Sequence, residues 1–194
     1  MISPEATAAI VPVANVLEGL GVMYHIGGSV ASSAYGFPRS TMDVDLVADL
    51  RAEHVRPLVE QLHPIYYVDE NAVREAVQRQ RSFNVIHLQT MVKVDVFVPR
   101  QTPFDRSALA RARPLAVDVS EGARSFPFKS PEDLILRKLE WYRAGGEVSE
   151  RQWNDVLGVL RVQGTALDQG YLQHWAEQLG LTDLLEQALS EAGL

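Results

Sequence analysis

The sequence predicts a mixed α/β sheet core followed by a helical C-terminal part, and three observations carry that prediction. Short apolar runs with strand alternation trade places with helically spaced segments from Met23 to Val98. Two of those runs, Phe83 to Leu88 and Met91 to Val98, flank Gln89-Thr90 and read as a hairpin. From Ser130 onward the strand patterns stop and only helical spacing remains. The division falls at 1–129 for the core and 130–194 for the helical subdomain. A chain of 194 residues, 46% hydrophobic and 22% charged, is long enough to bury one substantial core or a core with a helical appendage.

Taken in order, Ser3-Pro4-Glu5 is a helix start, with a capping serine and proline in the first turn. The helix runs to Leu17 or Leu20, with Pro12 bending it or delaying its start. Met23 to Ile26 is a short strand, Gly27-Gly28 a turn, and Ser29 to Tyr35 a small-residue helix closed by Gly36-Phe37-Pro38. A strand ends near Ala48, and Glu53 to Leu62 shows helical spacing through Val55, Leu58, Val59 and Leu62. Ile65 to Val68 is a strand, Asn71 to Gln80 a basic helix, and the hairpin follows, with His87 alternating outward. Pro99 ends the core sheet in this reading. Phe104 to Ala112 is helical, Leu115 to Val119 a strand, and 122–129 a loop or edge strand. Ser130-Pro131-Glu132-Asp133 is a strong helix start, and Gly145-Gly146 stops that helix. Ser149 to Val162, Asp168 to Leu179 and Thr182 to Leu189 complete the helical part.

Composition excludes several functions. There is no cysteine, so disulfides, thiolate metal sites and cysteine nucleophiles are out. No apolar run approaches the roughly 20 residues of a membrane span, and no basic region precedes an apolar segment at the N-terminus. A cytoplasmic protein with no membrane partner is expected. A net charge of −7 argues against non-specific coating of nucleic acid. Its distribution is uneven: residues 74–113 hold eight basic residues against three acids, whereas 130–194 holds eleven acids against five bases. The basic middle either suits a triphosphate or an RNA acceptor, or is a set of solvated faces.

The chemistry concentrates in Tyr24 to Ser29 and Arg39 to Leu46. Glycines after a strand permit tight backbone angles and close approach, and the helix beginning at Ser29 points unpaired N–H groups back at the turn. That arrangement is either an anion site or an ordinary strand-to-helix corner capped by Ser29. In the next strand, residues two apart share a face, so Asp43 and Asp45 project together while Val44 and Leu46 go to the core. Neighbouring carboxylates repel unless a cation or a shared proton relieves them. A third acid, Asp95, stands mid-strand in an otherwise apolar run and shares its face with Lys93 and Phe97. The three acids are either solvent-facing on a half-exposed sheet or hold a metal ion. Arg39 either reaches a phosphate or pairs with Asp43. Lys138, on the apolar face of its helix, either snorkels from the core or points into a cleft.

Gly28-Ser29, thirteen intervening residues, Asp43-Val44-Asp45-Leu46 and the later Val94-Asp95-Val96 resemble the active-site pattern of the DNA polymerase beta-type nucleotidyltransferase superfamily. Within it, the Arg39 to Leu46 stretch is most similar to the small bacterial nucleotidyltransferases of the AbiEii type, known from toxin and antitoxin systems. Those proteins also carry a lysine in a helix after the core, then a helix with a basic residue and an acid. Lys138, Arg151 and Asp155 are the counterparts here.

The resemblance implies an α/β mixed-sheet nucleotidyltransferase core, a C-terminal helical bundle, and an active site between the two. It implies that Asp43, Asp45 and Asp95 are the catalytic, metal-binding acids for two Mg²⁺ ions. Gly27, Gly28 and Ser29 would cradle the phosphates, with Arg39, Thr41 and Lys138 as further nucleotide-binding residues. The substrate would be a nucleoside triphosphate such as ATP, the acceptor a hydroxyl of RNA, tRNA or protein, and a cognate antitoxin a further partner. Two other readings compete: an inactive member that binds a nucleotide or a partner protein, and a transferase of the same fold that modifies a hydroxylated antibiotic.

Overall fold

The computed structural model describes residues 3–41, 43–116 and 124–194. They fall into two compact units. The first takes in residues up to Val30 and from Ser40 to Phe128; the second takes in Ala31–Arg39 and Lys129–Leu194.

The first unit is built on a seven-stranded mixed sheet. Its strands are β1 (Tyr24–Ile26), β2 (Asp43–Ala48), β3 (Tyr66–Tyr67), β4 (Ser82–His87), β5 (Lys93–Phe97), β6 (Arg113–Ala116) and β7 (Ser125–Phe128), in the order β3-β4-β5-β2-β1-β7-β6. β2 runs parallel to β5, and β1 parallel to β7; the other neighbours are antiparallel. Alternation decides the two faces. Val44, Leu46, Ala48, Val94, Val96, Phe83 and Val85 all go to one side and are buried. Each such aliphatic contributes roughly 1.5–3 kcal/mol by leaving water. Helix α1 (Pro4–Gly19) packs on β2 and β5 and on α3 (Ala52–Leu62), which packs on α4 (Glu70–Arg79). α1 starts at its Ser3 cap, whose hydroxyl accepts from the Ala6 amide, and runs unbroken through Pro12. α5 (Pro103–Ala110) leads into β6.

Three expectations are corrected in this unit. The sheet does not end at Pro99, because β6 and β7 extend it. Nor is 125–128 an edge: β7 lies between β1 and β6, with Ile26 opposite Phe128. The Phe-Pro-Phe run reads as a loop because proline donates no ladder bond, yet Phe126 and Phe128 are both driven into the core. His87 points inward, not outward. Ile86 pairs with Lys93, so the core side falls to His87, whose Nδ1 lies 2.8 Å from Thr90 Oγ1 and whose ring packs against Tyr66. Val117 to Ser120 lie outside the described residues.

α2 (Gly28–Tyr35) begins in the first unit and ends in the second. The second unit otherwise consists of α6 (Pro131–Ala144), α7 (Glu150–Gln163), α8 (Gln169–Leu179) and α9 (Thr182–Ala192), with α6 packing on α7, α8 and α9. Gly36 and Gly158 let the end of α2 meet α7 backbone to backbone. A Cβ on Gly36 would stand 2.9 Å from both Gly158 C and Val159 N. The first-turn acids of α6, Glu132 and Asp133, are fully buried. Asp133 accepts from the Ser130 and Tyr171 hydroxyls, each at 2.6 Å, and Glu132 accepts from the Asp168 amide at 3.2 Å. Polar partners make that burial tolerable. Among the described residues no helix is long and apolar enough to cross a membrane.

Candidate active site

The face of the sheet opposite the core carries the predicted acids. Parallel register sets Asp45 beside Asp95 and Asp43 beside Lys93, so three carboxylates and one ammonium form a square on β2 and β5. Asn84 of β4 continues that face beyond Asp95. Asp43 is exposed, while Asp45 and Asp95 are half-buried. Lys93 was visible in the sequence as a neighbour of Asp95 but was given no role. Its Nζ lies 2.8 Å from Asp95 Oδ2 and 3.8 Å from Asp43 Oδ2. The hydrogen bond to Asp95 holds the Lys93 ammonium above the usual lysine range.

The glycine turn is locked onto the same strand. The Gly27 amide donates to the Asp45 carbonyl at 2.8 Å, and Gly28 takes a left-handed φ of +52°. The Asp45 side chain lies directly against Gly28: a Cβ there would land on the carboxylate and stand 2.7 Å from Asp45 Cβ. Glycine is therefore required twice at this position, by its φ and by the acid. Ser29 follows in the first turn of α2, where the positive end of the helix dipole favours an anion. The Thr41 hydroxyl donates to the Asp43 carbonyl at 3.1 Å, bracing the entry to β2.

A second cluster of predicted residues forms within the helical unit. Arg39 grips Asp155 with two parallel bonds of 3.0 Å, from Nε to Oδ1 and from Nη2 to Oδ2. Lys138 Nζ adds a bond of 2.8 Å to Asp155 Oδ2 and one of 3.1 Å to Gln152 Oε1. Burial alone would push the Asp155 carboxyl up, but the hydrogen bonds from Arg39 and Lys138 outweigh it and hold it below the usual carboxylate range. Lys138 is buried, and Arg151 stands exposed one turn before Asp155. Gln152 was missed by the sequence reading, since nothing local marks a glutamine as the partner of a lysine on another helix.

Carboxylate oxygens sharing one strand face are the donor set of a hard divalent cation. The residue types and register fit Mg²⁺. Among the described residues, however, no three acidic or imidazole groups already converge on one point. The Asp95 carboxylate is instead held by Lys93.

No protein-family model matches the chain, and no curated protein sequence matches it significantly. Solved structures do. The solution structure of the antibiotic-resistance factor ANT(2'')-Ia superposes with a TM-score of 0.57 at 11% identity, covering 96% of this chain and 99% of that one. The crystal structure of ANT(2'')-Ia in complex with adenylyl-2''-tobramycin gives 0.55 at 12% identity, with 90% and 96% covered. An antigenic nucleotidyltransferase-like protein from Paracoccidioides brasiliensis gives 0.53 at 16% identity, with 96% and 91% covered. At these identities the likeness is one of fold, and it spans nearly the whole chain. The protein has the mixed-sheet fold of the nucleotidyltransferases, followed by helices.

Proposed function

We propose that the protein is a Mg²⁺-dependent nucleotidyltransferase that moves a nucleoside monophosphate from a nucleoside triphosphate to a hydroxyl acceptor. The observation that carries this reading is the placement of Asp45 against Gly28, which sets an acid of the β2–β5 face on the turn that opens α2. An anion bound by the α2 amides and Ser29 therefore lies next to the acids. Asp43, Asp45 and Asp95 are the residues that would hold two Mg²⁺ ions. Bound there, the ions would neutralise charge on the phosphates and lower the acceptor hydroxyl's pKa. The acceptor hydroxyl loses its proton to water, its oxygen forms a bond to the α-phosphorus, the bond from that phosphorus to the bridging oxygen breaks, and pyrophosphate leaves. Thr41 braces Asp43, and Arg39 is held by Asp155 within the helical unit.

An RNA or tRNA acceptor suits the basic run from Arg74 to Arg113, and the AbiEii resemblance adds a protein acceptor, a toxin role and an antitoxin partner. A second reading, a small hydroxylated antibiotic as acceptor, is favoured by the likeness to ANT(2'')-Ia, one structure of which holds adenylyl-2''-tobramycin. The test is incubation with each α-labelled nucleoside triphosphate and Mg²⁺, with total tRNA or tobramycin as acceptor. Label reaching one acceptor in wild type and none in Asp43→Asn supports the proposal; label transferred equally by Asp43→Asn refutes it. Growth arrest on expression, relieved in Asp43→Asn, supports the toxin role, and harmless expression removes it.

A further inference from the structure

Lys93 occupies the position from which a cation entering the acidic face has to be opposed. It stands opposite Asp43 in the β2–β5 register and two residues before Asp95 on the same face, with its ammonium 2.8 Å from Asp95 Oδ2 and 3.8 Å from Asp43 Oδ2. Three carboxylates on adjacent strands repel one another, and Lys93 neutralises part of that charge. Its side chain is 38% exposed, on a flexible four-carbon stem, so it can leave Asp95 at the small cost of a partly exposed ion pair.

We propose that Lys93 is the resident counter-cation of the Asp43–Asp45–Asp95 cluster, that a divalent ion takes Asp95 by displacing the Lys93 ammonium, and that Lys93 thereby sets the ion affinity of the site. The inference rests on the reading of these acids as metal ligands. Two consequences follow from charge alone. The ammonium has to be displaced from Asp95 before a divalent ion can take that carboxylate, so wild type binds the bare ion weakly. Once displaced, the ammonium needs a new partner, and the phosphates of a triphosphate bound with the ion supply one. Ion loading is therefore favoured when nucleotide is present.

The experiment is titration of Mn²⁺ alone, followed by electron paramagnetic resonance of the free ion, into wild type, Lys93→Met, Lys93→Gln and Asp45→Asn. Lys93→Met and Lys93→Gln should bind about tenfold more tightly than wild type, a difference of about 1.4 kcal/mol. Asp45→Asn should bind far more weakly. Thermal unfolding gives an independent reading: the metal-free Lys93 variants should melt below wild type and gain more from Mn²⁺. Equal or weaker Mn²⁺ binding by both Lys93 variants, with Asp45→Asn impaired, overturns the role of Lys93 and leaves the metal site standing. Failure of every protein to bind Mn²⁺ overturns both.

Discussion

Replacing Gly28 by alanine tests the join between the glycine turn and the acidic strand. The substitution costs twice. An L-residue at φ +52° carries a left-handed penalty of about 1 kcal/mol. The new methyl group also meets the Asp45 side chain as far in as its Cβ, 2.7 Å away, which no rotamer change moves, so the turn and β2 must shift apart at a further cost of at least about 1 kcal/mol. Gly21→Ala separates the two effects: Gly21 has φ +67°, and its Cβ would meet nothing within 4 Å. At roughly 2–4 °C per kcal/mol for a chain of this size, Gly28→Ala should melt about 4–8 °C below wild type and Gly21→Ala about 2–4 °C below. Transfer should fall about a hundredfold in Gly28→Ala alone, because a reacting group displaced by about 1 Å loses that much. Calorimetry and the labelled-nucleotide assay measure both. Gly28→Ala with the melting point of Gly21→Ala and wild-type transfer would refute the claim that Asp45 and the turn form one site.

Other outcomes follow from the second unit. Lys138→Met removes one of the two cations on a buried carboxylate and should cost about 2–3 kcal/mol by denaturant unfolding, less than a full orphaning because Arg39 remains. Asp155 has a native pKa lowered from 3.8, so the unfolded chain binds its proton more readily. Its contribution to stability is complete above about pH 4 and is lost as pH falls through the lowered native value; the stability curve of Asp155→Asn should lack that portion of the acid slope. Gly36→Ala drives a methyl group into the α7 backbone, which cannot yield as a side chain would, and should cost about 1–3 kcal/mol without altering the Gly28 turn.

The acidic face was legible because a strand's period of two puts Asp43 with Asp45, and Asp95 with Lys93, whatever the rest of the fold does. The turn was legible because only glycine suits it. Pairings across long sequence separations were not. Arg39 and Asp155 are 116 residues apart, and no local pattern tells an arginine near acids that its partner lies on a later helix. Lys138 showed the same limit: its place on an apolar face fitted snorkelling or a cleft, and nothing local announced its ion pair with an acid on the neighbouring helix. The place of β7 was hidden by Pro127, and the burial of Glu132 and Asp133 has no local mark, because first-turn acids signal a helix start whether or not they are covered. His87 was misplaced because the alternation was counted without the Ile86–Lys93 pairing that fixes which side it takes.

The most direct test of the nucleotidyltransferase account is thermal unfolding of wild type and Asp45→Asn with each of the four common ribonucleoside triphosphates, with and without Mg²⁺. A ligand at about 100 times its dissociation constant stabilises by roughly 2.7 kcal/mol, a shift of about 5–10 °C here. The account predicts such a shift for at least one triphosphate, only with Mg²⁺ and only in wild type. No shift with any triphosphate, or the same shift in Asp45→Asn, would contradict it.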